Sequence, residues 1–402
     1  MPIWTPKRIG CESCHGPGSL HQRHHRAGKR EAGKEDPTIV HPGRLDRSLQ
    51  EAICAACHLS GAASVQVRGR RFADFRPGTP LGENRVHYRL TAESERMTVV
   101  GHVEQLRLSA CYQKSNELTC VTCHPPHRRE KPKDLMAFHR QKCLDCHATK
   151  PCGLDEARRL KKDPTDNCVA CHMPRGDTEI PHIAFTHHRI GRHEARPAPS
   201  RGAGELVPIE DISHLAPVDG QRNLGLAYLY VAKNPLYSRY ARPFLERGIG
   251  LLEGVRSAGL REGVTAHALA EAYWKIDPDR AAMYARMALD AKDTGAEGRA
   301  TALLLLGDRE KQLGDMGAAV GLLEKVVRVR RHAEDWRLLG VGYLETGRTK
   351  EALSALRHAL AIRPSRPTTH LALEEAYRRR GDAARARDHG EKARWLLDHH
   401  RD

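Results

Sequence analysis

Aromatic side chains are scarce: five Phe, four Trp and ten Tyr among 402 residues, 5% of the chain. That excludes one large core built on packed rings. Long apolar runs are lacking as well. None approaches the roughly 18 residues that span a bilayer, so no membrane-crossing helix is expected in this chain. The opening MPIWTPKRIG has no apolar stretch of the kind that drives secretion. Cysteine is absent from everything after Cys171, although 12 precede that point, which excludes thiol chemistry from the second half. Acidic residues are outnumbered, 50 against 66 Lys and Arg, giving a formal net charge of +16. Such a balance raises nucleic acid as a partner. No reader motif and no basic patch interleaved with aromatics accompanies it, so nucleic acid is not expected.

What is present is concentrated at the front. Ten of the 12 Cys fall into five copies of C-x-x-C-H: Cys11–Cys14–His15, Cys54–Cys57–His58, Cys120–Cys123–His124, Cys143–Cys146–His147 and Cys168–Cys171–His172. This is the attachment signature of c-type haem. Two thiols separated by two intervening residues can add to the two vinyl groups of one porphyrin, and the next residue then places an imidazole on the iron. Structural zinc also uses C-x-x-C pairs, but nothing in tetrahedral zinc binding asks for His directly after every pair. Redox C-x-x-C motifs usually occur singly in an α/β pattern, which is missing here. Five covalent haems c are therefore expected, and their apolar discs would replace the missing aromatic interior. The short gaps between the third, fourth and fifth motifs imply that the last three haems pack closely. Ionised propionates would remove about 5 to 10 units of positive charge.

Each haem needs a second axial ligand, and twelve non-motif His precede residue 200. In CHPPH, His127 follows the motif His124 too closely to reach the far side of the same iron, and two prolines fix its direction, so it would serve a neighbouring haem. The same holds for His21 in CHGPGSLH. His182, His188 and His102 are further candidates, with His41 a weaker one and Met97, Met136 and Met173 as substitutes. His24, His25, His139 and His193 read as surface residues. Bis-His iron would lie at lower potential than His/Met iron.

The segments GCESCHGPGSLH, SACYQKSNELTCVTCHPPH and NCVACHMPRGDTEIPHIAFTHHRI resemble the multihaem cytochromes fused to tetratricopeptide repeats, within the wider group that includes the small tetrahaem cytochrome of ammonia oxidisers. The resemblance runs from about Arg8 to His193 and on into the repeats. It implies His21, His127, His182 and His188 as distal ligands. Relatives commonly carry Asp where this chain has His187, which leaves His187 and His188 as alternatives. It also implies an export signal and at least one further motif upstream of Met1. Since haem attachment takes place outside the cytoplasm, a periplasmic or otherwise extracytoplasmic location is expected. Cys111 and Cys152 stand outside the motifs; a disulfide, two free thiols and a ligand or catalytic thiol remain open.

Beyond a Pro, Gly and Ser-rich stretch the composition shifts to Ala, Leu, Arg and Glu. In AEDWRLLGVGYLETGRTKEALSALRHALAIRPS, the residues Trp336, Leu339, Gly340, Tyr343, Ala352, Leu356, Ala359 and Pro364 occupy the packing positions of a tetratricopeptide repeat. Related residues recur about 34 positions later (Tyr377, Gly381, Ala386, Ala393) and about 33 earlier (Gly307, Gly314, Ala319). Four or five helix pairs are expected. His332, His358, His370, His389, His399 and His400 are expected on solvated faces.

The expected fold is mainly α. A haem-organised cytochrome domain with little regular structure occupies 1–195, a linker 196–220, and an α-α repeat solenoid 221–400. The expected function is extracytoplasmic electron transfer, with redox partner proteins and a protein or peptide at the repeat groove. The alternatives are a multihaem oxidoreductase reducing a small nitrogen or sulfur oxyanion at one open haem, and an assembly scaffold with structural haems. Whether the chain is an enzyme is left open, an electron carrier being preferred; no catalytic residue is named.

Overall fold

In a computed structural model, which describes residues 10–28, 34–93, 101–127, 134–148, 152–177, 184–193 and 204–399, every C-x-x-C-H segment takes up a helical turn. Spacings of three and four residues put both thiols and the imidazole on one helix face. The ligand candidates His182 and Met97, and also His400, lie outside the described residues. The chain divides into two compact units, Met1–Phe244 and Leu245–Asp402.

The first unit holds nine short helices before residue 200 among the described residues: α1 (Glu12–His15), α2 (Ser19–Arg26), α3 (Arg47–His58), α4 (His102–Arg107), α5 (Ala110–Lys114), α6 (Cys120–Cys123), α7 (Leu135–His147), α8 (Glu156–Lys162) and α9 (Cys168–His172). Side-chain caps start several of them. Asp134 accepts from the backbone N–H groups of Met136 and Ala137, and Asp155 from that of Arg158. Yet α1, α2 and α5 to α9 contain no buried residue. Short helices are marginal in water unless they bury a face. These bury almost nothing against their own chain.

Before residue 200, the buried apolar residues among the described ones lie in a small cluster around α3 and α4 and in a sheet. Ala52 and Ala55 of α3 meet Leu59, Leu81 and Val103. Alongside, the buried carboxylate of Glu51 accepts from the Arg107 guanidinium and from the Tyr112 hydroxyl. Strands β1 (Ala63–Gln66) and β2 (Arg85–Leu90) pair antiparallel, β3 (Arg175–Asp177) and β4 (Ala184–Thr186) form a separate ribbon, and β5 (Leu206–Pro208) pairs antiparallel with β2. Helix α10 (Pro217–Lys233) packs on β1 and β2. Over its described part, the stretch read as a linker thus carries an edge strand and the start of a helix. Its prolines are of the kind tolerated there, Pro208 in an edge strand and Pro217 at the first turn of α10. Leu206 is buried, and its N–H donates to the Tyr228 hydroxyl.

The boundary between the units falls within α11 (Ala241–Ser257), and the second unit continues as four helix pairs. These are α12 (Gly263–Tyr273) with α13 (Pro278–Asp290), α14 (Ala296–Gln312) with α15 (Met316–Val329), α16 (Ala333–Glu345) with α17 (Thr349–Ile362), and α18 (Pro367–Arg379) with α19 (Ala383–His399). Packed pairs of this kind are consistent with a tetratricopeptide-like α solenoid. The last three pairs turn at Gly314, Gly347 and Gly381, with φ of +86°, +75° and +80°, where a side chain would be strained. In each case the glycine N–H and the next N–H reach back to the last helical carbonyls, as Gly347 to Leu344 and Arg348 to Tyr343. One core runs through α16 to α19, built on Leu339, Tyr343, Leu356, Leu373 and Tyr377 among others.

One expectation fails here. His370 is 5% exposed rather than solvated. Its Nε2 bonds the Pro364 carbonyl at 3.0 Å and its Nδ1 lies 2.9 Å from Nδ1 of His389. Thr369, His370, Leu373, Ala376 and Tyr377 form the buried stripe of α18, so the imidazole is carried inward by helical periodicity.

Candidate functional site

The five motifs bring Cys and His to the ends of helices α1, α3, α6, α7 and α9, and several side chains then converge. The Cys54 and Cys120 thiols share a hydrogen bond, which lowers the pKa of Cys54 and, with burial, raises that of Cys120. Burial first, then the neighbouring Cys168, pushes Cys143 up to about 11. No disulfide joins any of the 12 cysteines, Cys111 and Cys152 included. Cys111 is half-buried and lies within electrostatic reach of Cys146 and Cys123.

The histidines pair across long stretches of sequence. The rings of His15 and His127 lie 5.8 Å apart and nearly parallel, with an interplanar angle of 11°. His124 and His188 are 6.2 Å apart at 28°. His58 and His102 are closer, 5.0 Å, with their Nδ1 atoms 3.3 Å apart. His188 also meets His102 edge-on at 4.5 Å. Of the expected distal residues, His127, His102 and His188 therefore each face a motif histidine. His187 instead lies against His193, 4.9 Å between centroids. Among the described residues His147 contacts no other histidine ring.

Several imidazoles are oriented from behind. His15, His172 and His188 each direct Nδ1 at a backbone carbonyl, of Val40 (2.8 Å), Gly191 (3.0 Å) and Thr186 (2.9 Å). That arrangement leaves Nε2 as the free electron pair, the usual state of a metal-binding histidine. Burial, then the nearby His102, lowers the His188 pKa to about 4, so its ring is neutral at neutral pH. Burial and His139 likewise lower that of His124.

His21 is not brought to a motif histidine. Its Nδ1 lies 2.6 Å from Asp36 Oδ2, and Nε2 of His25 lies 2.8 Å from the same oxygen. This trio could hold a cation, or Asp36 could orient His21 while its Nε2 stays free. Asp36 also accepts from the backbone and hydroxyl of Thr38, and those bonds first, then the two imidazoles, hold its carboxyl well below the usual range. Sequence reasoning did not mark Asp36. It also took His139 for a surface residue, although its ring lies 6.2 Å from His124. A signal existed, because His139 precedes Cys143 by four residues and so shares the motif face of α7. His87 is unavailable as a ligand, being buried with its ring paired to the Glu210 carboxylate.

Basic groups with unused donors accompany the motifs. Arg47, Arg85 and Arg140 each have a buried Nε without a hydrogen-bond partner. Arg85, 6% exposed, donates to the Ala56 carbonyl inside the second motif at 2.6 Å and stacks on Phe72, with the Glu210 carboxylate within electrostatic reach.

No family model matches the chain, and no curated protein matches it. Solved structures do. One titled "MamA AMB-1 P212121" is 26% identical over 46% of this chain and 93% of its own, with a TM-score of 0.37. Another, "MamA AMB-1 C2221", is 28% identical over 44% and 96%, with a TM-score of 0.36. A third, "Crystal structure of MamA", is 20% identical over 40% and 93%, also at 0.36. At that similarity the assignment of a helix-pair array rests on the packing of α12 to α19 in this chain.

Proposed function

We propose that the chain carries five covalent haems c and transfers electrons outside the cytoplasm, with its helix-pair array docking a partner protein. The observation that carries this reading is the set of facing imidazoles in a unit whose motif-region helices bury so little. His15 with His127, 5.8 Å between ring centroids, and His124 with His188, 6.2 Å, would each hold one haem iron as a pair. His58 and His102 would have to rotate, since their Nδ1 rather than Nε2 atoms now face one another.

Cys11, Cys14, Cys54, Cys57, Cys120, Cys123, Cys143, Cys146, Cys168 and Cys171 would form the thioethers. His15, His58, His124, His147 and His172 would be the motif ligands. His127, His102 and His188 would complete three of the sites, with His21, oriented by Asp36, and His182 for others. Bound haem supplies a one-electron ferric–ferrous couple. The protein's part is to hold neutral imidazoles in place through backbone carbonyls and to present Arg47 and Arg85 to carboxylates such as propionates. Redox partner proteins and an extracytoplasmic location belong to the same reading.

The test is carbon monoxide binding to the reduced holoprotein. Full bis-His coordination gives none in the wild type. His127→Ala and His188→Ala should each create one reactive haem, read as a shifted Soret band. A wild-type haem that binds carbon monoxide would favour an oxidoreductase with an open iron. Variants that stay inert would remove those residues from the ligand set.

A further inference from the structure

We infer that a basic cavity on α17 and the end of α18 is the docking site for an acidic, Asp- or Glu-rich segment of the partner protein. This deepens the docking half of the proposed function and rests on that half alone. The cavity, about 450 Å³, is lined by Lys350, Leu353, Ser354, Arg357 and His358 of α17 and by Arg380 at the C-cap of α18. The α17 residues recur at three- and four-residue intervals, so one helix face presents them together. No carboxylate lines the cavity.

Several arginines elsewhere in this unit are ion-paired instead. Arg330 is paired with Asp335 and Glu297, Arg337 with Glu334, Arg348 with Glu324 and Glu351, Arg378 with Glu374 and Glu375, and Arg385 with Asp382. In the cavity, neither Lys350 nor Arg380 makes an ion pair among the described residues. The Arg357 side chain makes a single hydrogen bond, to the Tyr377 hydroxyl at 2.8 Å, which holds the guanidinium in place without neutralising it. His358 is held over Trp336, 4.6 Å between ring centroids. Leu353, 3% exposed, adds an apolar floor.

Arg357, held by Tyr377, keeps spare donors for charge-assisted hydrogen bonds to a carboxylate and has little side-chain entropy left to lose, while Lys350 and Arg380 add positive charge beside it. The volume suits one or two acidic side chains with their backbone. No Phe, Tyr or Trp lines the cavity, and the one ring there, His358, is already packed on Trp336, which favours a peptide over single-stranded nucleic acid.

The experiment uses the full chain and a fluorescent octaglutamate peptide at physiological salt, read by anisotropy. Lys350→Glu/Arg380→Glu should weaken binding about tenfold or more. Lys275→Glu/Lys292→Glu, the same charge change elsewhere in the unit, should alter it less than about twofold. Equal losses in the two variants would overturn the proposal in favour of a diffuse field. So would an unaffected groove variant, or an oligothymidine of equal charge bound as tightly with the same sensitivity. A parallel capture from periplasmic extract separates the two readings. A partner retained equally by wild type and groove variant would sink the cavity and leave docking intact, whereas no retained partner at all would sink docking itself.

Discussion

Denatured and stripped of loosely held pigment, the exported chain is expected to keep the added mass of five haems, and each motif whose two cysteines become alanine should lower that count by one. The expectation follows from local chemistry. The thiols of each motif sit three residues apart on a helical turn, so on the proposed reading every site would form its own pair of thioethers, and loss of one pair would leave the other four chemically able to react. Cys143→Ala/Cys146→Ala is the most informative variant. Helix α7 buries no residue of its own, so losing its haem should also cost helical signal from that segment, beyond the one-haem drop in mass. Zinc at the same thiols would be released on denaturation and would leave the bare polypeptide mass. Intact-mass spectrometry of acid-denatured protein decides between these. A mass equal to the apoprotein would end the haem reading.

Leu356→Ala should destabilise the helix-pair array by about 2–5 kcal/mol, the range for a fully buried leucine whose site collapses only partly. Leu356 is 0% exposed and fills the space left by Gly340, where an added Cβ would come within 2.6 Å of its Cγ. Gly340→Ala alone should therefore cost about 1–3 kcal/mol through overpacking. Together the two changes should cost clearly less than their sum, by about 1 kcal/mol or more, because the new methyl group occupies part of the new cavity. Denaturant melts followed by far-ultraviolet circular dichroism provide the measurement, with haem content unchanged. Additive losses would show that the two residues do not share one space.

The parts legible in the sequence are those encoded over short distances. C-x-x-C-H announces itself within five residues. The helix pairs show through Gly314, Gly347 and Gly381, each holding a backbone conformation that other residues resist. Partners of the motif histidines were only partly legible, since His15 meets His127 and His124 meets His188 through folding that no local pattern specifies. Asp36 behind His21 went unmarked for the same reason. Strand β5 was read as linker because three residues, LVP, carry almost no periodicity, and its pairing with β2 is set more than a hundred residues away. His370 is a different kind of miss. The stripe Thr369, His370, Leu373, Ala376, Tyr377 was readable, but a polar name was taken as a sign of solvent.

The returning strand bears on how the front half could be produced by itself. Tyr88 to Leu90 of β2 hydrogen-bond to Leu206 to Pro208, while Arg222 of α10 donates to the Gln66 carbonyl at 2.8 Å and Arg68 grips Asp219. A recombinant fragment stopped after the last C-x-x-C-H motif would leave β2 with a naked margin, an invitation to intermolecular strand exchange and insoluble material. Ending it at Phe244 keeps that margin covered. During synthesis, likewise, the sheet can close only after Leu206 to Pro208 have followed β2 out.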